Sequence, residues 1–148
     1  MSSSGGRAWK ALIDLIRLEK AHAVALFAPY DLTPQLAHAL HVIPPDGMTM
    51  RALATELVCD ASNATGIVDR LEQRGFLERI ACDHDRRIKR VRLTEAGRRM
   101  RETLETLLLT PPPSIAALNA ADQRMLCEII EHALLIAETE RAGTRESA

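Results

Sequence analysis

The chain has 148 residues, 47% of them hydrophobic and 26% charged, with a formal net charge of −1. That length supports one domain with a real core, and the composition is that of a globular protein and excludes a disordered or low-complexity one. No apolar run approaches the roughly 20 residues of a membrane-spanning helix, and the Ser/Gly-rich start lacks a secretory core, so a cytoplasmic protein without membrane partners is expected.

Apolar residues at Trp9, Ile13, Ile16, Ala23, Val24 and Phe27 predict one helix from Arg7 to Ala28, stopped by Pro29. Thr33 followed by Pro34 is a cap with a first-turn proline, opening a second helix to about Val42. Pro44-Pro45-Asp46-Gly47 is a loop. Thr49 caps a third helix, with Leu53, Ala54 and Leu57 apolar. A tight turn at Val58-Cys59 leads to Asp60, the cap of a fourth helix. That helix should bury Ala64, Ile67, Val68 and Leu71 and end at Gly75, where positive φ costs glycine little. Phe76 to Ala81 and Ile88 to Leu93 read as two strands with a loop between them. Thr94 caps a fifth helix to about Thr110, ended by three prolines. Asn119 and Asp122 then resemble a capping box before a last helix. Its apolar stripe is Leu126, Ile129, Ile130, Ala133, Leu134 and Ala137.

Charge is unevenly placed along this chain. Between Asp69 and Arg101 stand 11 Lys/Arg against 6 Asp/Glu, so a local excess of five positive charges hides inside a slightly acidic whole. Such a segment releases counterions from phosphate and supplies sequence-independent affinity for DNA. The third and fourth helices form a helix-turn-helix, whose second helix places its N-terminal side chains at base edges. Ser62, Asn63, Thr65 and Arg70 occupy the outer face of that helix, and Gly66 permits close approach. No glycine-rich phosphate loop, nucleophile elbow, HExxH or triad is present, so no enzyme is expected. The cysteines Cys59, Cys82 and Cys127 and the five histidines lack metal-ligand spacing, so neither a metal nor another cofactor is expected.

DASNATGIVDRLEQRGFLER and DHDRRIKRVRLTEAGR closely resemble the multiple-antibiotic-resistance repressor (MarR) family, and LTPQLAHAL and NAADQRMLCEIIEHAL match it more loosely. The resemblance implies a mainly α fold with a small β-wing, as one domain over 1–148. A winged helix-turn-helix lobe would span 33–94, and a helical dimerisation region 7–28 and 95–140. It implies a homodimeric DNA-binding transcriptional regulator, usually a repressor, on double-stranded DNA with a pseudo-palindromic operator, released by a small ligand or oxidant. By position, Asp85 would hold Arg87 for the minor groove, with Arg86 and Arg90 as phosphate neighbours.

The resemblance also implies a ligand crevice between the dimerisation helices and the winged lobe. Trp9, Ile13, Arg17, His38 and His41 are its candidate liners, for a small aromatic molecule. Core or interface roles for all five stay open. Cys82, near the wing, is the candidate redox residue, against an ordinary strand thiol. The competing reading of the whole chain is a winged-helix protein-interaction module without DNA binding.

Overall fold

Four helices start where a Thr or Asp side chain stands three residues ahead of an otherwise unpaired amide. In the computed structural model, which describes residues 3–81 and 89–146, Thr33 Oγ1 accepts from Leu36 N at 3.2 Å and starts α3 (Pro34–Val42). Thr49 Oγ1 accepts from Ala52 N at 3.1 Å, starting α4 (Met50–Glu56). Asp60 Oδ1 accepts from Asn63 N at 2.8 Å, starting α5 (Ala61–Gln73). Thr94 Oγ1 accepts from Gly97 N at 3.0 Å, starting α6 (Glu95–Leu108). Each bond satisfies a first-turn donor that has no partner within its helix.

The stretch predicted as one first helix is two, α1 (Ser4–Leu18) and α2 (Lys20–Phe27), parted at Glu19 with φ −86° and ψ 5°. No proline or glycine marks that break. A short 3₁₀ turn, Ala28–Tyr30, follows around Pro29. The sheet holds the two expected strands, β2 (Leu77–Ala81) and β3 (Lys89–Leu93), and a third, β1 (Met48–Thr49). All pairing is antiparallel in the order β1-β3-β2, with Leu77 opposite Leu93 and Met48 opposite Val91.

One face of each element closes a common core. Leu40 and Ile43 come from α3 and its end, Leu53 from α4, and Ile67, Val68 and Leu71 from α5. Leu77, Val91 and Leu93 come from the sheet and Leu104 from α6. Removing each such side chain from water contributes about 1.5–3 kcal/mol, so this cluster fixes how α5 sits on the sheet. By contrast α1 buries nothing, and Trp9 and Ile16 are each 64% exposed.

The chain divides into two compact units, the first ending at Thr110 and the second starting at Pro111. The second contains α7 (Pro113–Ala116), which begins inside the proline run, and the long α8 (Ala120–Glu146). Asn119 Oδ1 accepts from Asp122 N at 2.9 Å, while its side-chain amide donates to Asp122 Oδ2 at 2.7 Å. The Gln123 amide donates to the carbonyls of Ile115, Ala116 and Leu118 and ties α7 to α8. Along α8, Met125, Ile129, Leu134, Leu135 and Ile136 are exposed. No helix among the described residues is long and apolar enough to cross a membrane.

Candidate nucleic-acid interface

α4, a four-residue turn and α5 make a helix-turn-helix. The turn is tight because Val58 takes φ +51° and Cys59 N reaches back to Ala54 O at 3.0 Å. A left-handed β-branched residue is unusual, and here its side chain is 89% exposed, so nothing packs against it. Asp60 then redirects the chain into α5, whose inner positions Ala64, Ile67, Val68 and Leu71 are buried as the spacing predicts.

The opposite face of α5 points outward. Ser62, Asn63, Thr65, Asp69, Arg70 and Gln73 are exposed there, and Gly66 is half-exposed. A Cβ built on Gly66 would meet nothing within 4 Å. Thr65 Oγ1 donates to Ala61 O at 2.8 Å, which leaves its lone pairs to accept from outside. At the far end Gly75, with φ +73°, ends the helix as predicted. Arg74 donates there to Arg70 O at 3.1 Å and to Asp31 Oδ2 at 2.8 Å.

Much of the basic segment is committed internally. Arg92 grips Glu78 across the β2–β3 pair at 3.0 and 2.7 Å. Arg98 holds Glu95, whose carboxyl is thereby kept below its ordinary range, chiefly by the hydrogen bond from Arg98. Arg101 donates to Ile43 O at 3.0 Å. Arg90 Nη2 donates to Gly47 O at 2.9 Å and Asp46 O at 3.2 Å, which anchors it to the loop before β1. Arg79 reaches from β2 to both Asp69 and Glu72 of α5. The hydrogen bond to Asp69, ahead of the pull of Glu72, raises its pKa above the ordinary arginine value. Arg51, Arg70 and Lys89 have no side-chain partner among the described residues. Arg51 and Lys89, neither singled out by the sequence, share a groove of about 530 Å³ with Cys59, Thr65 and Arg79.

Cys82, Asp85, Arg86 and Arg87 lie outside the described residues. The crevice candidates separate into two groups. His38 and His41 line a cavity of about 250 Å³ with Phe27, Pro34, Ala37, Leu104 and Leu108. Trp9, Ile13 and Arg17 do not join it. They stand exposed on α1, where Arg17 lies 3.6 Å from Asp14. Among the described residues no group of three or more His, Cys, Asp or Glu side chains could hold a metal ion.

A helix-turn-helix backed by a three-stranded antiparallel sheet defines a winged helix-turn-helix protein. Residues 33–89 match the model of the MarR family, and the chain has the winged helix-turn-helix fold of the solved MarR-family structures it resembles. The reduced form of MarR from E. coli is similar at 23% identity and TM-score 0.76, covering 90% of this chain and 98% of that one. AbsC, a MarR family transcriptional regulator from Streptomyces coelicolor, is similar at 24% identity and TM-score 0.69, with 96% and 98% covered. The S. aureus MepR F27L mutant bound to an oligodeoxyribonucleotide is similar at 18% identity and TM-score 0.57, with 87% and 97% covered. At these identities the likeness is one of fold.

Proposed function

We propose that the protein is a homodimeric transcriptional regulator, acting as a repressor, that binds double-stranded DNA through α5 and the β2–β3 wing. The observation that carries this reading is the outer face of α5. It presents Ser62, Asn63, Thr65 and Arg70 around an open Gly66, on a helix fixed by a capped turn and a packed inner face. Hydroxyl and amide side chains can read base edges, and Arg70 and Lys89 supply uncommitted positive charge for phosphate. Arg90 follows Lys89 on β3, and the family resemblance adds Asp85, Arg86 and Arg87 at the wing. MepR, which shares the fold, is a precedent with a bound oligodeoxyribonucleotide.

Two copies of the chain would cover the exposed apolar residues of α1 and of the α8 stripe around Ile130, and place two α5 helices on a pseudo-palindromic site. The cavity walled by His38, His41 and Leu104 is the candidate site for a small aromatic effector. Selecting duplexes from a random-sequence library tests the reading. The selected sequences should share a two-fold motif, and Asn63→Ala should relax preference within it while leaving the salt slope nearly unchanged. Recovery of no preferred duplex, with only protein partners captured, would favour the interaction-module reading instead.

A further inference from the structure

The two acids on the outer half of α5 pose an electrostatic problem. Asp69 stands four residues after Thr65, and Glu72 three residues after Asp69, so all three line one flank of the helix. A DNA-facing helix with two bare carboxylates on its flank would repel phosphate. Both carboxylates are claimed by one guanidinium, that of Arg79 on β2. The Arg79 side chain is only 28% exposed, against 49% for Asp69 and 38% for Glu72. It is the least exposed of the three side chains.

We infer that Arg79 is a positioning residue for DNA binding: it neutralises Asp69 and Glu72 on the flank of α5, without itself touching DNA. The inference rests on the DNA-binding reading above. A guanidinium suits the task because its planar fork can serve two carboxylates at once, which an ammonium does less well. One residue thus offsets both charges on that flank.

Charge-neutral substitution tests this role. Binding is measured to a fluorescent duplex selected by the wild-type protein, across a series of salt concentrations, with thermal unfolding of every variant alongside. Arg79→Met should weaken binding about tenfold near 0.1 M salt, and the deficit should shrink as salt screens the exposed acids. Adding Asp69→Asn and Glu72→Gln to Arg79→Met should restore most of the affinity, although the ion pairs remain absent. Asp69→Asn with Glu72→Gln alone, which keeps the arginine, should bind severalfold tighter than wild type, so the inference stays testable if Arg79→Met folds poorly. A triple variant as weak as Arg79→Met, a deficit independent of salt, or a double variant weaker than wild type would overturn it. If the wild type selects no duplex at all, the DNA-binding reading itself falls, and this inference with it.

Discussion

Gly66→Ala should make the protein more stable and a poorer DNA binder. The residue lies inside α5, and a Cβ there would meet nothing within 4 Å. Alanine then loses no packing and removes the excess conformational freedom that glycine has in the unfolded chain. The expected gain is about 0.5–1 kcal/mol. For a chain of this size it should raise the melting temperature by roughly 1–4 °C. The same empty space is where the proposed DNA surface would approach most closely. An added methyl there should weaken binding by about 1–3 kcal/mol, the usual cost of overpacking a close contact. Urea unfolding at one fixed protomer concentration measures the first effect, since a dimer's stability depends on concentration. The urea slope should not change. Titration against a selected duplex measures the second. A variant that is more stable and binds DNA as tightly as wild type would refute close approach at Gly66. A lower unfolding midpoint would refute the open space itself.

Gly97→Ala should do the reverse, because its Cβ would fall 2.0 Å from the Phe76 carbonyl oxygen, a backbone atom. The resulting overpacking costs about 1–3 kcal/mol and exceeds the alanine helix preference of about 1 kcal/mol, so urea unfolding should shift to a lower midpoint. Val58→Asn should stabilise the protein by about 0.5–1 kcal/mol in the same assay, since asparagine tolerates the left-handed conformation that strains valine and no packing is lost. Asp60→Ala should cost about 1 kcal/mol and speed hydrogen exchange at the Asn63 amide, which loses its acceptor; unchanged exchange there would contradict the cap. The Cys127 thiol donates to Glu131 at 3.3 Å, and that hydrogen bond, then the carboxylate charge, raises its pKa above the ordinary value. Pairing therefore holds below the ordinary thiol range and is lost as pH rises through the raised value. Glu131→Gln should move the pH midpoint of Cys127 alkylation downward, and an unmoved midpoint would refute the pairing.

What the sequence made legible was local. The caps Thr33, Thr49, Asp60 and Thr94 each act on an amide three residues on, and the stop at Gly75 depends on its own φ. The inner face of α5 follows from helical period alone, so its outer face, the candidate interface, could be named residue by residue. What depends on distant partners was not legible. β1 is two residues long and exists only because Arg90 and Val91 pair with it. Arg90 looked like a free cation, yet it serves carbonyls more than 40 residues away. The Arg79 pairings need the chain reversal after Gly75 to bring β2 beside α5, although two acids at i and i+3 on a basic helix face were a usable signal. His38 and His41 share a wall because they are one turn apart. Periodicity cannot say where α1 packs, so Trp9, Ile13 and Arg17 were grouped with them without that support.

The junction between α5 and α6 has a mechanical consequence. Thr94 N donates to Phe76 O at 3.0 Å, Thr94 Oγ1 donates to Gly75 O at 2.5 Å, and Gly97 lets α6 rest on the Phe76 carbonyl. These contacts hold the start of α6 against the chain that leaves α5. α6 would then serve as a lever arm for the proposed reading helix, and tilting it should carry α5 along. On the DNA-binding reading, a signal that acts on α6 would leave each head's grip unaltered. It would change the span between two heads, as a pair of dividers is reset without touching its points.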